Sequence, residues 1–161
     1  MRSRTFIIKA LLGTLSCLAA GHAAIAQDSS AGISTLTPLQ GEDLKNAFSG
    51  KTMDGIYKIP RQRTGTNQFT ETFNADGTAD YFEGPLVDKG QWIVQRELIC
   101  FRYEGALAGG ISCFNVYRTG TCMYSYNPAN IGENGFPIDE NLWSVKTVIR
   151  GDISSCDDLI S

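Results

Sequence analysis

The side chains best suited to hold a small molecule are a group of tyrosines, Tyr103, Tyr117, Tyr124 and Tyr126, with Arg102 beside the first of them. Phenolic hydroxyls at the edge of an apolar cavity can anchor a ligand that is otherwise held by ring contacts. Arg102 would meet a ligand carboxylate as a bidentate donor. Each has a plainer use. Tyrosines fill small barrels, with their hydroxyls reaching backbone or solvent. Alternation places Ile99, Phe101 and Tyr103 on the more apolar face of their strand, which favours solvent for Arg102.

Two acidic groups also invite a chemical reading. Glu71, Asp76, Asp80 and Glu83 flank one hairpin. Glycoside hydrolysis uses two carboxyl groups about 5–9 Å apart. Nothing in this spacing fixes such a pair, and an acidic rim that keeps the hairpin soluble is the simpler reading. Asn127, Asn130, Glu133, Asn134, Asp139 and Glu140 crowd one loop, 127–141. They could offer oxygen ligands to Ca²⁺, but the Asp-x-Asp-x-Asp-Gly spacing is missing, so this reads as a solvated loop. No catalytic residue, metal site or cofactor is assigned.

The N-terminus carries a targeting pattern. Arg2 and Arg4 precede a mostly apolar run, Phe6 to Ala20, and Ala24-Ile25-Ala26 fits a small-x-small cleavage site. The run is short for a span, which needs about 20 residues. A lipid anchor on Cys17 is disfavoured by Thr14, three positions before it, where an apolar residue is required. Residues 1–26 are therefore expected to be a signal peptide, and the mature chain to be periplasmic or secreted, with no membrane span. Removal takes three of the 14 basic residues and none of the 17 acidic ones, so the net charge moves from −3 to about −6. A chain so acidic, with no basic run, is a poor partner for nucleic acid or anionic lipid. Removal also takes His22, the only histidine. Ser-His-Asp and Cys-His catalysis and His-ligated metals would then be closed to it, and the protein is expected not to be an enzyme.

Cys100, Cys113, Cys122 and Cys156 remain. An even number in an exported chain implies two disulfides, in one of three pairings. The preferred one is Cys100–Cys113, clipping neighbouring strands, with Cys122–Cys156, tying the tail to the body. A four-cysteine zinc site is the rival, weakened by the absence of any Cys-x-x-Cys.

These groups must be positioned by strands. Residues 27–36 read as a flexible leader, rich in Ser, Ala and Gly. A short amphipathic helix follows over 42–48, with Leu44, Ala47 and Phe48 on one face. Its start is marked by Thr37-Pro38 or by Gly41 with Glu42 and Asp43 behind it. The period then changes to two. Strands are expected over 52–59, 67–73, 78–83, 90–94, 98–103, 113–118, 121–126 and 142–149, with Tyr81 as a core residue. Turns and loops fall at 60–66, 74–77, 84–88, 104–110 and 127–141. Such a series predicts one all-β domain over 37–161. It would be an antiparallel up-and-down barrel, or a strongly curved sheet, of about eight strands with one short N-terminal helix.

Five short motifs run through roughly residues 40–126. They are Phe48-Ser49-Gly50-Lys51-Thr52, Phe73-x-x-Asp76-Gly77-Thr78, Gly90-x-Trp92, Cys100-Phe101-x-Tyr103 and Cys113-Phe114-x-Val116-Tyr117-Arg118. In their order the chain resembles an uncharacterised family of small exported bacterial proteins of unknown function. The resemblance implies a lipocalin-like barrel and an exported location, and transfers no catalytic residue. The expected function is non-enzymatic binding of a small apolar or mixed ligand. The alternative is an interaction module for an envelope protein, as a hydrolase inhibitor or an assembly factor. Loops at one barrel end carry function more often than strands do. Mass spectrometry of the exported protein without reductant should find it about four hydrogens lighter than the reduced chain. A mass matching free thiols would contradict the disulfides.

Overall fold

A computed structural model describes residues 35–153 and Cys156. The expected signal peptide and most of the leader lie outside the described residues. The elements are β1 (Thr37–Leu39), α1 (Gly41–Phe48), β2 (Lys51–Tyr57), β3 (Gln68–Phe73), β4 (Thr78–Glu83), β5 (Leu86–Gln95), β6 (Leu98–Tyr103), β7 (Ser112–Thr119), β8 (Cys122–Tyr126) and β9 (Val145–Ile149). From β2 onward each strand pairs antiparallel with the next. β9 then returns to β2, and the ring closes as an eight-stranded up-and-down barrel. Closure leaves no long edge open to other chains.

Of the two helix starts, β1 excludes Thr37-Pro38, and α1 begins at the other, Gly41. β6 covers β7 only as far as Asn115. β1 takes up the edge from there, pairing Leu39 with Val116 and Thr37 with Arg118. Pro38 is tolerable on such a peripheral strand, where one missing N–H is cheap. Boundaries also shift, and β2 ends at Tyr57 where the expected strand runs to residue 59. The expected turn 84–88 is only Gly84-Pro85, so β5 starts at Leu86 and Asp88 is an inward, buried strand residue. The last strand begins at Val145, because Glu140–Leu142 coils into a 3₁₀ turn.

The barrel's two ends are closed differently. At one end α1 lies across the opening with Leu44 and Phe48 fully buried against Met53, Phe73 and Trp92. Phe73 is the centre of this layer: its ring meets Phe48 at 5.0 Å, Trp92 at 5.7 Å and Phe101 at 5.8 Å. Burying each such side chain contributes about 1.5–3 kcal/mol. Three of the expected loops, between β2 and β3, β6 and β7, and β8 and β9, all emerge at the opposite end. Beneath them lies a second layer of Tyr57, Phe69, Tyr81, Tyr103 and Val145.

Both preferred disulfides are present. Cys100 and Cys113 are cross-strand partners, with Cα atoms 4.1 Å apart. Cys122 holds Cys156 against the wall, 5.3 Å away at Cα. The four thiols are thus spent in pairs, not gathered in a metal cluster.

Gly55 lets the upper layer form. It is the cross-strand partner of Phe69, and a Cβ there would lie 2.3 Å from that ring. The ring instead crosses the bare backbone to meet Tyr57 at 4.8 Å and Tyr81 at 5.5 Å. Gly55→Ala is therefore expected to lower stability by about 1–3 kcal/mol, the scale of an overpacked core, read as the urea midpoint. An unchanged midpoint would contradict this placement of Phe69.

Candidate functional site

Strand parity decides which side chains reach the interior, and it divides the candidate tyrosines. Ile99, Phe101 and Tyr103 point inward, so Tyr103 is inside and Arg102 is exposed on the outer wall. Tyr117, Tyr124 and Tyr126 lie on the outer side with Cys113 and Cys122. Tyr117 and Tyr126 are nonetheless buried, because the loop after β8 folds back over them with Ile131, Phe136 and Trp143. Their hydroxyls donate to backbone carbonyls, Tyr117 to Gly135 at 2.7 Å and Tyr126 to Glu140 at 2.8 Å. Lys146 lies over the rings of Tyr124 and Trp143. These three tyrosines therefore hold a loop on the wall, and the proposed cluster of ligand anchors is not brought together.

The oxygen-bearing side chains of that loop build its turns. Asn127 Oδ1 accepts from Ala129 N–H, Asn134 Oδ1 from Phe136 N–H, and Asp139 Oδ1 from Asn141 N–H. Among the described residues, no three of His, Cys, Asp and Glu are grouped as a metal would need.

The hairpin carboxylates part company. Asp76 and Asp80 are at the surface, where Asp76 takes both the N–H and the hydroxyl of Thr78 and Asp80 pairs with Lys89 at 3.3 Å. Glu71 and Glu83 correct the expectation of a solvated rim, for they are 5% and 0% exposed. Glu71 follows Phe69 and precedes Phe73 on the inward face, and Glu83 follows Ala79 and Tyr81 on theirs.

Glu83 is fully partnered. Tyr57 and Tyr81 share a hydroxyl hydrogen bond of 2.8 Å, Tyr81 donates to Glu83 Oε2 at 2.7 Å, and the Thr64 hydroxyl donates to Oε1. This chain ties the β2–β3 loop to the barrel. Two further links secure the same end. Arg63 donates to the Ala106 carbonyl at 2.7 Å, and Asp88 accepts the N–H groups of Lys89, Gly105 and Leu107 at 2.7–2.8 Å. Burial raises the Asp88 carboxyl, but those donors outweigh it and hold its pKa below the ordinary value.

Glu71 differs. Its one hydrogen bond comes from Tyr103, whose hydroxyl donates to Oε1 at 2.5 Å. The other side of the carboxyl faces an internal chamber of about 90 Å³, between the two core layers. Phe69, Phe73, Phe101 and Phe114 line it, with Ser125 and Thr147. Thr147 is 5% exposed, and its Oγ1 is a buried hydroxyl with no hydrogen-bond partner. Arg61 reaches the chamber from the β2–β3 loop, its guanidinium 3.9 Å from the centre of the Tyr57 ring. Gly90 makes room for Tyr103: a Cβ there would lie 2.8 Å from that ring and 2.6 Å from the Arg102 carbonyl. The chamber wall is thinnest beside β7. β8 pairs with β7 only from Asn115 onward, so Ser112 and Phe114 have no β8 partner and Ser112 is exposed.

Larger hollows of about 400 Å³ lie on the outer wall, one of them lined by Asp54, Thr70 and Phe82. Its polar groups are already engaged, since Arg150 and Thr70 both donate to Asp54. The interior chamber differs in holding a buried polar atom without a partner, Thr147 Oγ1.

Burial pushes the Glu71 carboxyl up from 4.5 to about 7, and the Tyr103 hydrogen bond, which favours the charged form, opposes this only in part. Burial also raises the Tyr103 hydroxyl, and the neighbouring Glu71 raises it further. Glu71 thus holds its proton more tightly in the folded than in the unfolded chain. The stability this contributes is full below 4.5 and is lost as the pH rises through about 7. Glu71→Gln keeps an acceptor for Tyr103 and removes the titration. Its stability relative to the wild type, measured by urea unfolding, should therefore improve by up to about 3 kcal/mol between pH 4.5 and 8. A difference that stays constant with pH would contradict the burial of an ionisable Glu71. The chain matches no protein-family model, and no curated protein or solved structure matches it significantly.

Proposed function

We propose that this chain is an exported, non-enzymatic binding barrel that holds a small ligand of mixed apolar and polar character in the chamber beside Glu71. One observation carries this reading: an aromatic interior encloses a carboxyl group with an open side and a buried hydroxyl, Thr147 Oγ1, that has no partner. Buried polar groups are nearly always satisfied, and an orphan of this kind asks for an explanation. A bound polar group would supply it. The chamber is far smaller than the several hundred Å³ that enclose a drug-sized molecule. It fits a molecule of a few heavy atoms, or one end of a longer ligand leaving past Ser112. Export is supported by the basic, apolar and small-residue order of the N-terminus and by two disulfides. Among the described residues no helix is long and apolar enough to cross a membrane.

An interaction module is the second reading, favoured by Ile59 and Ile111, which are 76% and 70% exposed on two loops of the same barrel end. An envelope protein docking there would cover them. A stoichiometric partner in pull-downs from envelope extract, lost when both are changed to Ser, would support it.

The binding reading is tested by filling the chamber. Ser125→Leu adds a side chain of about the chamber's own size at its wall. Small fragments screened by amide chemical shifts are expected to perturb β3, β6 and β9 in the wild type. They should bind at least about tenfold more weakly to the variant. Binding that Ser125→Leu leaves unchanged would place the ligand elsewhere.

A further inference from the structure

The walls of the chamber also state which kind of head group fits it. Glu71 is 5% exposed, and no lysine or arginine among the described residues is paired with it. An unpaired buried carboxyl is costly when ionised unless a positive charge comes to it. The remaining lining is aromatic, with Phe69, Phe73, Phe101, Phe114 and Tyr103 around the same space. Ring faces are negative and attract cations, more strongly where water is excluded. Tyr57 already carries one cation in this way, the Arg61 guanidinium. Thr147 Oγ1 is free to accept a proton donor.

We propose that the chamber takes a small alkylammonium group, its charge beside the Glu71 carboxylate, its N–H donated to Thr147 Oγ1 and its methyl groups against the rings. This rests on the chamber being a binding site, and it adds the class of ligand. Each feature is matched once: the charge by the carboxylate, the N–H by the orphan hydroxyl, and the carbon surface by aromatic faces. An anionic head would meet Glu71 as a like charge, and a neutral one would leave the carboxylate unpaired above its titration.

The titratable and charged groups facing Glu71 are Tyr57 on β2, Tyr81 on β4, Tyr103 on β6, and Arg61 above, with Glu83 beyond Tyr81. Burial raises the three tyrosines, so they stay neutral through the physiological range. Glu71, rising to about 7, is then the group that sets the pH profile. Affinity for a cation should climb as the pH passes through that region and level above it.

The test uses the full mature chain and three probes of similar size: trimethylammonium, tert-butanol and acetate, titrated by amide chemical shifts at pH 8. Trimethylammonium should give saturable shifts around residues 71, 103 and 147, and bind at least about tenfold more tightly than tert-butanol. Going to pH 6 should weaken it by about tenfold in the wild type. Glu71→Gln should remove both the preference and the pH profile, and Thr147→Val should weaken trimethylammonium while leaving its pH profile in place. The wild-type pH series needs no variant to fold. If tert-butanol binds equally well and Glu71→Gln changes nothing, the ammonium inference fails and the binding site stands. If acetate is preferred, Arg61 and not Glu71 defines the head group, and the inference fails. If no probe perturbs these residues and the fragment screen also finds nothing there, both fail.

Discussion

The pairing of β9 with β2 turns a meander into a ring, and the ring fixes a width that side chains must fill. Eight strands leave an interior about as wide as a layer of large residues. Phe73, Phe48 and Trp92 fill one half, with α1 as a stopper. The other half holds Phe69, Tyr57, Tyr81 and Tyr103, which fit only because Gly55 and Gly90 give up their own volume to the facing rings. Between the layers the filling is incomplete, and the remaining space is where Glu71 and Thr147 point. The candidate site is thus a consequence of closure: strands that must turn every second residue inward carry a glutamate and a threonine into an aromatic interior.

The same parity explains what was and was not legible in the sequence. The change of period after Gly50 and the spacing of Gly and Asn turns are local signals, and they give the helix and the eight barrel strands. Phe69 and Phe73 mark the inner face of β3, and Glu71 lies between them on that face by the same alternation. The charge of a hairpin glutamate argues for solvent, and here burial among rings overrides it with one tyrosine hydrogen bond. The tyrosines show the converse. Cys113 stands on the outer wall, bonded to Cys100, and Tyr117, four positions on, stands with it. Aromatic character alone therefore misplaces Tyr117, and its burial depends on the fold of the loop after β8, which has no local signature. β1 is illegible for a similar reason, because it answers an edge of β7 left open where β6 ends.

Two buried glutamates on neighbouring strands receive opposite treatment. Glu83 is held by Tyr81 and by Thr64 from the loop above, so it fastens the upper rim, as Asp88 does through three backbone N–H groups. Glu71 is held by Tyr103 alone and has no fastening role that one hydrogen bond would explain. A carboxyl desolvated without a countercharge works against the fold above its own titration. Such a group is understandable in a pocket that waits for a positive partner, and the energy withheld from folding is then recovered on binding.

The most direct measurement is a carbon-13 NMR titration of the Glu71 side-chain carboxyl in the ligand-free protein. A midpoint near 7, well above the surface acids, is the result expected of a carboxyl enclosed by rings without a cation. A midpoint at the ordinary value near 4.5 would show a solvated or paired carboxylate, and would contradict the chamber as described.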